Sequence, residues 1–492
     1  MSTLTKMPDS AQDTDLVPVE TVPLVVDLDG TFSRSDTLHE ALLSLVAKQP
    51  NKLPEIAGWL GSGKAVFKDK VAEEALVDAS ILPLNQDVVD YVADARAQGR
   101  KVLLVSASNQ RQVTAVADAA DMFDEAVGSG PDRNLAGSNK ADWLVERFGE
   151  NGFDYVGDSS ADLKVWPRAR RAISVGANST MQRQVDAIDP EAVHLSPPTS
   201  LANRVKVHLK AMRPHQWLKN LLVLVPAFAA HDLSAVGPSL VAFVAFCMAA
   251  SCIYLINDML DLEVDRRHPR KRNRPFAAGT IPVAQGAVLA AGLFVGSFLI
   301  ATLTSWLFVG VLAGYIVLTS AYSLVLKRKL MVDIWMLGAL YTLRIIAGGA
   351  ASGVPLSEWL LAFSMFLFLS LAAVKRQSEL ADLAKRGMTE TDGRGYRVSD
   401  QPVILGVVLA AGYCSVLVLA LYISGTSVRG LYGEPGLLWL VCPLLLYWIS
   451  RATMISYRGE MDDDPIVFAI KDRVSQLIFL TCAGLFVTSA VL

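Results

Sequence analysis

Beyond about residue 215 this chain carries uncharged stretches at 233–257, 275–326, 401–428 and 474–492. A bilayer span needs about 20 consecutive apolar residues, and 275–326 is long enough for two helices with a turn. Before that point charges are dense and apolar runs are short. The chain therefore reads as a soluble domain followed by a polytopic membrane domain. The overall figures, 492 residues with 52% hydrophobic and 19% charged, average two unlike halves, and they exclude a disordered chain. A net charge of −3 gives no sign of a nucleic-acid partner. Cys247, Cys252, Cys414, Cys442 and Cys482 all lie in the membrane half without CxxC spacing, and read as packing residues. A cysteine-free soluble half suits a cytoplasmic location.

Residues 1–20 are polar and lack a basic segment followed by an apolar core, so a disordered tail is expected and not a signal peptide. Three short apolar runs, 23–27, 101–106 and 153–158, end in polar or acidic residues, as buried parallel strands do at their carboxyl ends. Helical patterns at 86–99 and 140–149 separate them. This alternation predicts a parallel α/β domain over 21–190, with its ligand site at the strand carboxyl ends. Helix-forming sequence at 37–85 interrupts the alternation and suits a small helical cap. Residues 191–212 read as a linker and an interfacial helix, with Arg204, Lys206 and Lys210 set among apolar residues. The all-α membrane domain occupies 213–492.

Nine membrane segments are predicted, near 218–231, 235–256, 281–303, 306–325, 330–352, 357–374, 402–424, 435–450 and 474–492. Lys and Arg fall in alternate loops, on the same side as the N-terminal domain. By the positive-inside rule that side is cytoplasmic, in an inner (cytoplasmic) membrane.

Asp27-Leu28-Asp29-Gly30-Thr31 places two carboxylates two residues apart just beyond the first strand. In extended chain such side chains point the same way, so both can address one phosphate, Asp27 as nucleophile and Asp29 as general acid. Ser106 ends the second strand, Lys140 starts a helix, and Asp158 with Asp162 follows the third strand. Asp27 and Asp158 would hold Mg²⁺, which takes oxygen ligands. These four elements in this order resemble the haloacid-dehalogenase superfamily of phosphatases over about 22–180. The resemblance implies a Rossmann-like fold with a small cap, with Asp27 as phospho-aspartate and Asp29 as acid/base and further metal-site residue. It also implies that Ser106 and Lys140 bind phosphate, that Asp158 is a metal ligand, and that Asp162 orients Lys140 or a metal-bound water.

Asn257-Asp258-Met259-Leu260-Asp261-Leu262-Glu263-Val264-Asp265 lies where the second predicted segment ends. Asp258, Asp261 and Asp265 step by three and four and so share one helix face. Stacked carboxylates repel unless a cation sits between them, and Arg266, Lys271, Arg272 and Arg274 follow. Acids, Mg²⁺ and arginines together suit a diphosphate leaving group. The string resembles the UbiA superfamily of intramembrane prenyltransferases over about 205–492. A second aspartate motif, usual there, is replaced by Lys375-Arg376-Gln377-Ser378-Glu379. That replacement, the run Arg213–Asn220, the run 268–279 and the run 461–473 are similar to the polyprenyl-phosphate phosphoribosyltransferase subfamily. The resemblance implies a polyprenyl phosphate acceptor, a phosphoribosyl pyrophosphate donor and Mg²⁺. It implies phosphate contacts from Lys219, Lys327, Lys375 and Arg376 beside Glu379, with Tyr322 and Arg344 near the site. Asp463, Asp464 and Asp472 would support the ion cluster or form a solvated acidic loop.

The transfer product would still carry a 5-phosphate, and a fused phosphomonoesterase would remove it to leave polyprenyl-phosphoryl ribose for cell-envelope glycans. Two other readings remain open at this point: aromatic prenylation beside an unrelated phosphatase, and a lipid transporter with a regulatory phosphatase-like module. Assembly into a homo-oligomer is left open as well.

Overall fold

The computed structural model describes residues 22–492 apart from 131–132, 198, 391–394, 426–427, 429–430 and 462–463. The expected N-terminal tail and Asp463 lie outside the described residues. The chain divides into two compact units, one of Met1–Ala211 with Ile256–Val288, the other of Met212–Leu255 with Leu289–Leu492.

The first unit is built on a six-stranded parallel sheet in the order β3-β2-β1-β4-β5-β6. Its strands are β1 (Leu24–Val26), β2 (Val102–Asn109), β3 (Glu125–Ser129), β4 (Asp154–Gly157), β5 (Arg171–Val175) and β6 (Val193–Leu195). Alternate residues feed opposite layers. Leu24, Val26, Val102, Leu104 and Val156 pack on one face, while Val25, Leu103, Val105 and Tyr155 pack on the other. With both faces covered, the central strands read as unbroken apolar runs, as parallel strands do. Val26 pairs with Leu104 on one side and Val156 on the other, so three strand ends lie abreast. The strand order reverses at β1, which makes this edge the place for a ligand. Sequence reading missed β3, β5 and β6 because their apolar signal is weak: β3 is only part-buried, β5 opens on Arg171, and β6 has three half-buried residues.

The cap expected over 37–85 is present as α1 (Thr37–Lys48), α2 (Leu53–Gly61) and α3 (Lys64–Glu74), with their own core of Ala41, Leu45, Ile56, Phe67 and Val71. Asp36 caps α1 by accepting from the His39 N–H. Helix Leu201–Met212 exposes Leu201, Val205 and Leu209, spaced by four, beside exposed Arg204, Lys206 and Lys210. That is the pattern of a helix lying in a membrane interface. Segment 256–288 belongs to this unit too.

Among the described residues, eight helices are long and apolar enough to cross a membrane: Leu233–Leu260, Val283–Ala301, Trp306–Leu324, Val332–Ser352, Glu358–Lys385, Val398–Ser424, Pro435–Tyr457 and Arg473–Val491. This is a multi-pass membrane protein. The remaining expected segment, 218–231, is not one α-helix. It forms a 3₁₀ stretch, Pro214–Leu224, and a five-residue helix, Val225–Ala229, each opening on a proline turn. The 3₁₀ form rises about 2.0 Å per residue against about 1.5 Å in an α-helix.

Candidate active sites

Asp27 follows β1, and its Oδ1 accepts from Lys140 Nζ at 2.9 Å. Lys140 sits in the first turn of helix Ser138–Phe148 and also donates to the Tyr155 hydroxyl at 2.9 Å. Tyr155 in turn donates to Asp162 Oδ1 at 2.7 Å, so Asp162 orients Lys140 through a phenol. The other Asp162 oxygen accepts from the N–H groups of Asp158 and Ser159 at 3.2 and 2.9 Å. Thr31 Oγ1 donates to Asp158 at 3.2 Å. Ser106, expected to end the second strand, is buried within β2, which runs on to Asn109, and accepts the Ser108 N–H at 3.1 Å.

Asp29 goes elsewhere. Its Oδ1 accepts the Thr37 N–H at 2.7 Å, and its other oxygen accepts from the Ser108 hydroxyl. The carboxylates whose ligand atoms gather within 4.8 Å of one another are Asp27, Asp158 and Asp162. Among the described residues Asp29, expected with the metal-site acids, is not in this group, and Asp162 is. The reason is local, because the chain turns at Asp27–Gly30 and the two aspartates do not stay in extended register. Thr37, Ser108 and Tyr155 were not anticipated. Ser108 carried a signal, standing two residues beyond Ser106 on one strand face.

Burial pushes the Asp158 carboxyl up to about 8, and the charges of Asp27 and Asp162 add to it. Burial also raises Asp27 against the pull of Lys140. Burial alone would lower the Lys140 ammonium, but Asp27 and Asp162 hold it above its ordinary value. Three converging carboxylates therefore share one ammonium, a deficit that an oxygen-seeking divalent cation fits. Burial, then the charge of Asp36, pushes Asp29 up to about 6, the range of a group that gives and takes a proton near neutrality.

Gly30 is required by this packing. Its φ is +80°, and a Cβ there would lie 2.2 Å from Asp158 Oδ2. Gly30→Ala is expected to displace Asp158 and lower phosphomonoester hydrolysis about 100-fold, with about 1–3 kcal/mol of strain. Hydrolysis assays and thermal melts on the same preparation check this; wild-type turnover in the variant would refute it.

The aspartate-rich segment spans the end of helix Val236–Leu260 and α4 (Leu262–Arg267). The backbone leaves helical geometry at Asp261, yet the Asp261 N–H reaches Asn257 O at 2.9 Å and the Asp265 N–H reaches Asp261 O at 2.8 Å. Asp258, Asp261 and Asp265 thus keep their helical spacing. Arg274 Nη1 lies 3.1 Å from Asp258 and 2.6 Å from Asp265, both buried. Where a cation was expected between those two carboxylates, a guanidinium stands, and the trio is not among the convergent carboxylate groups of the described residues. Arg266 also departs from expectation. Both its terminal nitrogens are committed to Glu40 and its Nε to Ala277 O. Lys271 and Arg272 lie on the following 3₁₀ turn, half-buried and exposed.

In the second unit Lys219 pairs with Asp464 and lies 5.9 Å from the Tyr341 ring centroid. Burial alone would raise the Asp464 carboxyl, but Lys219 and then Lys375 hold it below its ordinary value. Arg344 donates to Asn220 Oδ1 at 2.9 Å and to the Tyr315 hydroxyl at 3.2 Å. Arg376 is not placed to hold a phosphate. It is fully buried against Asp333 at 2.5 Å and Glu379, beneath the Tyr396 ring. Breaking such a pair costs about 3–5 kcal/mol, so Arg376 with Asp333 ties helix Glu358–Lys385 to helix Val332–Ser352, and Glu379 braces the guanidinium from its own helix. Asp472 pairs with Arg451 at 2.7 and 2.9 Å and caps the last helix, a structural role. Tyr322 and Lys327 are half-buried at the end of Trp306–Leu324 and in the turn after it.

A doubly wound sheet that converges acids on a lysine, followed by a bundle of membrane helices, defines a membrane enzyme with a hydrolase module. Residues 221–482 match the UbiA prenyltransferase family and residues 56–166 match the haloacid dehalogenase-like hydrolases. The chain belongs to the UbiA prenyltransferase family and carries a haloacid dehalogenase-like domain ahead of its membrane helices. It is 38% identical over 472 residues to the uncharacterized protein y4nM of Sinorhizobium fredii, covering 95% of this chain and 90% of that one. It is 36% identical over 279 residues to nodulation protein NoeC of Azorhizobium caulinodans, covering 56% of this chain and 91% of that one. It is 34% identical over 326 residues to decaprenyl-phosphate phosphoribosyltransferase of Mycolicibacterium smegmatis, covering 60% of this chain and 97% of that one.

Proposed function

We propose that this protein transfers 5-phosphoribose from phosphoribosyl pyrophosphate to a polyprenyl phosphate and then removes the 5-phosphate. The observation that carries the reading is similarity to a phosphoribosyltransferase over 97% of that relative's length, in a chain that adds a group of converging carboxylates paired with a lysine. In the transfer, a lipid phosphate oxygen attacks the anomeric carbon of ribose and pyrophosphate leaves. Asp258, Asp265 and Arg274 supply the charges that recognise the departing diphosphate and its Mg²⁺. Lys219 and Lys375, which flank Asp464, are the cations suited to the lipid phosphate. Lys375-Arg376, where the wider family has a second aspartate motif, speaks against an ordinary prenyl diphosphate donor.

In the second step Asp27 attacks the 5-phosphate and Asp29 protonates the departing ribose oxygen. Water then attacks the aspartyl phosphate, with Asp29 as base, and regenerates Asp27. Lys140 holds a phosphoryl oxygen while Tyr155 and Asp162 hold Lys140. A divalent cation among Asp27, Asp158 and Asp162 would offset charge on the transferring phosphoryl group. Both steps face the cytoplasm, where the basic loops lie, and the product, polyprenyl-phosphoryl ribose, is a pentose donor for cell-envelope glycans. Tethering raises effective concentration, and removal of the phosphate draws the reversible transfer forward.

The test is mass spectrometry of lipid formed by purified protein from polyprenyl phosphate, Mg²⁺ and phosphoribosyl pyrophosphate. A lipid bearing an unphosphorylated pentose is expected. A lipid without pentose would return the reading to prenyl diphosphate donors.

A further inference from the structure

Glu40 lies one turn into α1 and Arg266 lies in α4. Their side chains are 4% and 5% exposed. The guanidinium grips the carboxylate with both terminal nitrogens, Nη1 at 2.6 Å from Oε2, while its Nε donates to Ala277 O at 2.9 Å. Weaker pairs flank it, Lys48 with Glu263 at 2.7 Å and Arg267 with Asp78 at 2.8 Å. A Cβ on Gly279 would come within 2.9 Å of Arg34 Cβ, so the loop backbone lies directly against the chain leaving the Asp27–Thr31 motif.

A buried ion pair adds little net stability over an apolar contact of the same volume. Its merit is direction, since a bidentate carboxylate fixes the guanidinium plane. Here the gripped helix is the one that orients the phosphatase acid: the Thr37 N–H at the start of α1 donates to Asp29 Oδ1 at 2.7 Å, and Thr37 Oγ1 lies 3.2 Å from Ser108 Oγ, which holds the other Asp29 oxygen.

We propose that Arg266 and Glu40 are positioning residues of the phosphatase, through which the aspartate-rich loop of the transferase holds α1, and with it Asp29, in place. The proposal rests on the phosphatase reading above. It removes Arg266 from the diphosphate site and makes the loop a part of both centres.

The experiment uses the full-length protein in detergent, with p-nitrophenyl phosphate and Mg²⁺ for hydrolysis and pentose transfer to polyprenyl phosphate measured beside it. Glu40→Gln and Arg266→Met are each expected to lower hydrolytic kcat about tenfold, with KM within about twofold. The double variant is expected to be no worse than either single one, because losing one partner already frees the helix. Arg266→Lys, which keeps the charge but not the fork, is expected to fall between. Pentose transfer by Glu40→Gln reports that the preparation is folded. Unchanged hydrolytic kcat in both single variants would overturn the proposal, as would losses that simply add. A raised KM for phosphoribosyl pyrophosphate in Arg266→Met with normal hydrolysis would also overturn it, by returning Arg266 to the diphosphate. If wild type hydrolyses no phosphomonoester, the phosphatase reading falls first and this proposal with it.

Discussion

Asp27→Asn in the intact protein is expected to leave pentose transfer running and to stop the lipid one step early, one phosphate heavier than the wild-type product. The amide keeps the shape of the carboxylate and accepts from Lys140 as the acid does, so the fold around β1 is undisturbed. It lacks the anionic oxygen that must bond to phosphorus. Loss of a covalent nucleophile costs about 10⁴-fold or more in turnover, far beyond what neighbouring groups restore. It also removes one of the three negative charges that gather with Asp158 and Asp162 and so weakens the hold on a cation. Mass spectrometry of the lipid fraction reads the outcome directly. The same final lipid from variant and wild type would show that the carboxylate site does not act on the transferase product.

Asp258→Asn is expected to have the complementary effect: pentose transfer falls about 10²–10³-fold, while hydrolysis of p-nitrophenyl phosphate stays within about threefold of wild type. Asp258 is buried and shares Arg274 with Asp265. The asparagine oxygen still accepts from Arg274, so the loop keeps its packing. What disappears is one of the charges that recognise a diphosphate with its cation, and that charge matters most as the leaving group departs. Initial rates of pentosyl-lipid formation at saturating polyprenyl phosphate measure the loss. Undiminished transfer would mean that the diphosphate is held elsewhere.

Much of the phosphate site was legible because its chemistry is carried by side chains at strand ends, where spacing has a geometric meaning. Asp27, Lys140, Asp158 and Asp162 fall into one constellation for that reason. The orientation of Asp29 was not legible. Spacing by two implies a shared direction only in extended chain, and the chain turns at Gly30 with φ +80°. Thr37 was hidden more deeply, because it contributes a backbone N–H, which any residue but proline would supply. In the membrane half, hydropathy identified the long helices, but composition does not distinguish a 3₁₀ rise from an α rise, and segment 218–231 was read as an ordinary helix. Arg376 looked like a phosphate ligand because it sits beside Lys375, yet its partner Asp333 lies 43 residues away and burial decides its role. Glu40 and Arg266 stand 226 residues apart, and no local pattern announces such a pair.

The linker Ser196–Ser200 is the only covalent route from the sheet into the membrane helices, yet it is not the only thing joining them. Glu40 and Arg266, with Gly279 pressed against Arg34, tie the domain to segment 256–288 as well. A protease cut in that linker would therefore yield a nicked protein whose two fragments stay associated, because parting them would strip two buried charges of their partners. The covalent tether is dispensable for cohesion once the chain has folded, and its lasting contribution is to ensure that the two modules are made in equal number.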